Sequence, residues 1–239
     1  MFQAKNFKIF SCQCSIFTPL LTFSPNKIHI AIAGKYAEIL NGNPVLLPLP
    51  EDAPKEIPRI ILSSGDGKLK LEIANSRVNF FRFRKESDTE IDFPSFLELN
   101  LSIVKDYIEC TSAKIGRIAL VIRRFVETED PGKILAKHFC KEKFCMEDSK
   151  LSCFNRPENF EIHSHKKYPL PKSKTIVNSW VRCKSGLLKN IKQPIVFVEQ
   201  DFNTLAEDQD KLDYDAERIA AFYMESFNEQ AEILKKYFP

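Results

Sequence analysis

Glycine is scarce in this chain, 7 in 239 residues, and that scarcity excludes most loops that cradle phosphate with bare backbone. The one glycine cluster, Ser63-Ser64-Gly65-Asp66-Gly67-Lys68, lacks the four-residue spacing and the Gly-Lys-Ser/Thr ending of a phosphate loop. It reads as a plain hairpin turn. Long apolar runs are also lacking, since no stretch approaches the ~18 residues of a membrane-spanning helix. The opening MFQAKNFKIFSCQCSIFTPLLTF is broken by Ser11, Gln13, Ser15, Thr18 and Pro19. No small-residue cleavage site follows, so it reads as a strand rather than a secretory leader.

Charge of one sign is lacking as well. A net charge of +3 is too small to imply a nucleic-acid partner, so the distribution of charge matters more than the total. The cysteines number 7, an odd count in a chain too long to need disulfide staples, and a reducing, cytoplasmic setting is expected. Neither a Gly-x-Ser-x-Gly elbow nor a local cysteine-protease signature occurs. No residue is assigned a catalytic role, and no cofactor is called for.

What the chain does have is apolar volume, with 44% hydrophobic residues and 20 Phe, the profile of an ordinary globular protein. In Ile9 to Ile16, Phe10, Cys12, Cys14 and Ile16 alternate with Ser11, Gln13 and Ser15, which is the period of a half-buried strand. Residues 41–58 hold five prolines and read as an irregular connection. From 59 to 84 the turn at Gly65-Asp66-Gly67, alternation at Leu69, Leu71 and Ile73, and a reversal at Asn75-Ser76 predict a three-stranded meander. Asp92 and Pro94 open a helix with Phe96, Leu97, Leu101, Val104 and Ile108 on one stripe. The run from Ile118 to Ile122 is apolar at every position and predicts a central, covered strand. A short helix at 131–140 capped by Asp130, strands at 159–164, 174–184 and 194–199, and a helix at about 214–238 complete the reading. The buried stripe of that last helix is assigned to Ile219, Phe222, Tyr223, Phe227, Leu234 and Phe238. The expectation is one α+β domain over residues 1–239. It consists of antiparallel sheet with amphipathic helices packed on one face, in two similar β-β-β-α halves (1–128 and 129–239) forming one unit.

Four stretches carry a family resemblance: IPRIILSSGDGKLKLEIANSRVNFF, IGRIALVIRRF, IVFVEQDFNT and DAERIAAFYMESFNEQAEIL. The chain resembles a patchily distributed family of uncharacterised prokaryotic proteins of similar length. The resemblance implies the fold and its whole-chain extent, and no activity.

The sharpest chemical question lies in KHFCKEKFCMEDSKLSCF, residues 137–154, where His138, Cys140, Cys145 and Cys153 gather. Their spacing matches no common zinc finger or ribbon. His138 falls on the core stripe of the short helix, and the surroundings are rich in lysine. The residues therefore read as packed or free groups, with no metal site assigned. Glu199 and Asp201 share a strand face, as acid–base or metal-binding carboxylates do. The acids that follow, to Glu217, read as a solvated loop leading into a helix N-terminus.

The basic counterpart is Lys166, Lys167, Lys172, Lys174, Arg182, Lys184, Lys189 and Lys192, interleaved with Tyr168 and Trp180. If 159–164 and 174–184 pair, these form a basic-aromatic hairpin face; such groups track phosphate backbones and stack unpaired bases. Arg123 and Arg124 leave a doubly covered strand on opposite faces, so one of them must enter a packed layer or a cleft. A buried arginine needs a carboxylate, such as Glu199 or Asp201, or an anionic ligand. The partner- or anion-binding residues are thus Arg123, Arg124, Lys166, Lys167, Lys172, Lys174, Trp180 and Arg182. The function expected is that of a non-catalytic cytoplasmic binding protein, not a membrane one, acting through the basic-aromatic hairpin and the acidic loop. Its partner is a second protein or another copy of itself. Nucleic-acid binding and a metal-dependent hydrolase are the alternatives.

Overall fold

The computed structural model describes residues 2–19, 24–50, 52–146, 150, 152–155, 157–188 and 192–239. The chain runs β1 (Lys8–Phe17), α1 (Pro25–Lys35), β2 (Val45–Leu46), β3 (Pro58–Ser63), β4 (Leu69–Ala74), β5 (Arg77–Phe83) and α2 (Phe93–Thr111). It continues with β6 (Arg117–Glu127), α3 (Pro131–Phe139), β7 (Glu161–Pro169), β8 (Ile176–Leu188), β9 (Gln193–Thr204) and α4 (Ala216–Tyr237). Among the described residues, all nine strands join one antiparallel sheet in the order β2-β3-β4-β5-β1-β6-β9-β8-β7. The fold is therefore mixed α+β.

Register explains why the sheet holds. Leu62, Leu71, Phe80, Cys14, Leu120 and Phe202 sit opposite one another across six strands, and each is 0–2% exposed. A second row runs Ile60, Ile73, Val78, Ile16 and Ile118. These rows cluster with Ile28 and Ile32 of α1, Phe93, Phe96 and Leu97 of α2, and Ile219, Phe222 and Tyr223 of α4. Beside them Val181, Cys183, Val196 and Val198 pack with Leu135 of α3 and with Leu234 and Phe238. At about 1.5–3 kcal/mol per buried aliphatic or aromatic side chain, such rows dominate the stability of the sheet.

The meander, the central strand and the long helices lie where the sequence places them. Asp92 caps α2 by accepting from the Ser95 backbone N–H at 3.2 Å. Asp130 makes no such side-chain bond at the start of α3. Helix α1 escapes the sequence reading because only Ile28 and Ile32 of its residues are buried, too few to print a stripe. The expected lengths of β7, β8 and β9 are too short, because polar alternation continues past Ser164, Lys184 and Glu199 on half-exposed strands. On α2 the stripe turns toward Ile103 and Tyr107, leaving Leu101 and Ile108 half-buried. On α4 the polar Ser226 and Gln230 occupy the buried face, while Phe227 is half-buried.

One ion cluster pins the meander to the loop before α2. Asp88, its side chain 8% exposed, meets Lys68 Nζ and Arg82 Nη2 at 2.8 Å each and accepts from the Lys85 backbone N–H at 3.1 Å. The Lys68 contact, with help from the Lys85 amide and Arg82, holds its carboxyl well below the ordinary range. A depressed native pKa gives stability that is full above the unfolded value of ~3.9 and is lost as pH falls below it. Asp88→Asn should therefore cost about 1 kcal/mol at neutral pH and flatten the acid limb below about pH 4, measured by urea unfolding across pH. An unchanged acid limb would remove Asp88 from this role.

Candidate functional site

The residues between the apolar rows face the other way, and register aligns them too. One row is Lys70, Phe81, Gln13, Val121, Asp201, Trp180 and His165. The next is Glu72, Asn79, Ser15, Ala119, Asn203, Asn178 and Lys167. A third is Phe83, Ser11, Arg123, Glu199, Arg182 and His163. This second face mixes polar and aromatic groups where the first is apolar throughout these rows.

Its aromatic rings are half-buried and accompanied by cations. Phe81 and Phe83 stack with centroids 5.7 Å apart, and Lys70 Nζ lies 5.9 Å from the Phe81 ring. Trp180 stacks on His165 at 4.1 Å with the Arg182 guanidinium 5.0 Å away. Arg117 covers Phe17 at 4.7 Å, and Lys184 approaches Phe197 at 5.4 Å. A cation over an aromatic face is attracted by the ring quadrupole, so these pairs hold each other in place while keeping part of each ring accessible.

Between the aromatic groups runs a ladder of amides and hydroxyls. Ser15 Oγ donates to Asn79 Oδ1 at 2.8 Å, Arg117 Nη2 donates to Asn203 Oδ1 at 2.7 Å, and Asn203 Nδ2 donates to Asp201 Oδ1 at 3.0 Å. Glu199 is clasped by Arg123 Nε at 2.7 Å and Arg182 Nη1 at 2.9 Å. Burial pushes the Asp201 carboxyl up, opposed by its bond from Asn203 and by Arg182.

At one end of this face a groove of about 680 Å³ is lined by Phe10, Phe125 and Phe197, with Lys8, Arg84, Lys85 and Lys184 and the acids Glu86 and Glu127 around them. Phe10 meets Phe125 and Phe197 edge-on, at 6.1 and 6.4 Å.

The structure divides the residues singled out from the sequence. Arg123, Trp180, Arg182 and Lys167 lie on the polar-aromatic face. Lys167 also bonds Glu207 at 2.7 Å, so the acidic loop abuts the hairpin. Lys166, one residue earlier, falls on the other side, beside Glu229, Ile233 and Lys236 of α4. Lys172 and Lys174 belong to the β7–β8 turn, where the Lys172 and Ser173 backbone N–H groups donate to Glu225 of α4. The basic hairpin thus presents cations to two surfaces, because adjacent strand residues point oppositely. Arg124 is buried on the helix-contacting side, 4% exposed, and donates to Gln200 Oε1. Lys189 lies outside the described residues.

Residues 147–149 and 151 of the Cys/His stretch lie outside the described residues. His138 stacks on Phe238 at 5.0 Å, and its Nε2 lies 2.5 Å from the Tyr237 carbonyl oxygen. Cys140, Cys145 and Cys153 are free thiols; burial, then the neighbouring Cys145 and Cys153, pushes the Cys140 thiol up. Among the described residues no group of three His, Cys, Asp or Glu side chains is placed to hold a metal ion.

Sequence reasoning missed Arg117, the Phe10–Phe125–Phe197 cluster and the Asn/Ser ladder. The signal for them was present as the residues alternating with the core positions of β1, β6 and β9. It was unreadable without knowing that those strands are neighbours. No helix among the described residues is long and apolar enough to cross a membrane. Comparison with protein-family models and with curated proteins gave no match.

Proposed function

We propose that this is a non-catalytic binding protein that takes single-stranded nucleic acid on the polar-aromatic face of its sheet. One observation carries the reading: the half-buried rings of that face, Phe17, Phe81, Trp180 and Phe197, each have a cation beside them. Base stacking on accessible rings and phosphate contacts from flanking Lys and Arg are what unpaired strands require. The amide ladder adds hydrogen-bonding groups for base edges. In this reading all four helices pack on the aliphatic face, which the mixed helix–strand core clusters support. The mirrored strand order about the β1–β6 junction favours two similar halves divided between α2 and β6, and not at residue 128, so the binding face extends across both. The free cysteines favour a reducing, cytoplasmic setting.

Glu199 is committed to Arg123 and Arg182, which ranks the hydrolase reading below this one. A protein partner or a second copy is the second reading, favoured by β7, an edge strand that offers unpaired backbone groups.

The test is fluorescence anisotropy with labelled single-stranded and duplex oligonucleotides over a salt series. Single strands should bind preferentially, with log K falling by about 0.7 per phosphate neutralised for each unit of log salt. Lys184→Ala should reduce that slope by about 0.7. Negligible binding at low salt, or an equal preference for duplex, would sink the proposal.

A further inference from the structure

Arg124 is a charge without a counter-charge. It lies on β6 between Ile9 of β1 and Val198 of β9, with its side chain in the packed layer. Its hydrogen-bond acceptor is the neutral Gln200. Gln200 is itself tied down, donating Nε2 to the Gln230 carbonyl at 2.7 Å. Among the described residues no carboxylate reaches Arg124 within ion-pair distance. Burial lowers its pKa to about 10. A guanidinium has five N–H donors, and leaving one buried and uncompensated is costly unless an anion joins it.

An open cleft lies beside it. Arg124 lines a cavity of about 470 Å³ between β1 and the end of α4, within the range of small-molecule sites. Phe7, Ile9, Phe227, Leu234 and Phe238 supply its apolar lining, and Gln3 part of its polar lining. Lys5 and Lys235 also line it, with Glu90 as the acid among the lining residues; Lys235 is engaged by Glu232 at 2.6 Å. One buried guanidinium beside an apolar lining matches a single negative charge on a hydrocarbon body. The planar fork of arginine fits a carboxylate through two parallel hydrogen bonds.

We propose that this cavity binds a small monocarboxylate with an apolar tail, its carboxylate on Arg124 and its hydrocarbon against Phe7, Phe227 and Leu234. The site lies on the opposite side of the sheet from the nucleic-acid face and does not depend on that reading. The decisive experiment is calorimetric titration of the full chain with octanoate, 1-octanol and inorganic phosphate. Octanoate should bind at least tenfold more tightly than either of the others. Arg124→Met keeps the volume while removing the charge, and should weaken octanoate at least tenfold while leaving octanol unchanged. Ala231→Phe, on the α4 wall of the cavity, should block octanoate with Arg124 intact, which serves if the Arg124 variant does not fold. Octanol binding as well as octanoate, phosphate binding as well as octanoate, or unaltered octanoate binding in either variant would overturn the proposal.

Discussion

Phe202→Ala should lower the thermal unfolding midpoint by roughly 6–20 °C. The estimate combines a cost of about 3–5 kcal/mol for truncating a buried phenylalanine with about 2–4 °C per kcal/mol in a chain of this size. Phe202 is fully buried on β9, opposite Leu120 on one side and Ser179 on the other. Its ring meets Tyr168 edge-on at 6.3 Å. The cavity left behind is bounded by strands paired on both sides, so collapse around it is limited. Phe154→Ala is the control: that ring is 38% exposed, and its loss should cost well under half as much. The two variants are compared by circular dichroism melts. A shift for Phe202→Ala no larger than that for Phe154→Ala would mean that the buried apolar rows do not hold the sheet together.

The largest functional effect is expected from Trp180 and Phe197 together. Each stacked base is worth about 1–3 kcal/mol on alanine substitution, so the double variant should bind single strands about thirtyfold more weakly or worse. The two rings sit on adjacent strands, β8 and β9, with Arg182 beside one and Lys184 beside the other. Salt dependence separates the contributions: losing rings should lower affinity at every salt concentration and leave the slope intact, whereas losing Lys184 changes the slope. Retained affinity in a folded double variant would remove stacking from the interface. Asp201→Asn should act in the opposite sense, strengthening binding several-fold by removing a carboxylate from beside Trp180.

Much of the fold was legible because local patterns agreed with it. Gly65-Asp66-Gly67 turns where turn chemistry says it should, with Gly67 at φ +66°, and the doubly apolar run of β6 sits between β1 and β9. The failures share a physical cause, which is that half-buried elements carry weak periodicity. Helix α1 buries too little to print a stripe, and β7 alternates polar with polar. The site was less legible than the fold. Arg182 and Trp180 were found because they stand out in composition, whereas the carboxylate expected beside the buried arginine lies on the half-exposed Arg123, and the buried Arg124 meets the neutral Gln200 instead. The single-residue step from Lys166 to Lys167 reverses the surface each serves, and composition alone treats them as equivalent. Phe10, Phe125 and Phe197 come from strands far apart in the chain, and their meeting depends on sheet order.

The β1–β6 pairing at the middle of the sheet has a consequence for synthesis. β1 is translated first, and β5 can cover one of its edges early, but its other edge waits for β6, 100 residues beyond Phe17. At about 5–20 residues per second, the ribosome needs roughly 5–20 s to deliver that partner. During this interval the nascent first half carries an open edge studded with Cys12, Cys14 and Ile16. Codon usage or chaperone capture across residues 18–117 therefore acts while that edge is open.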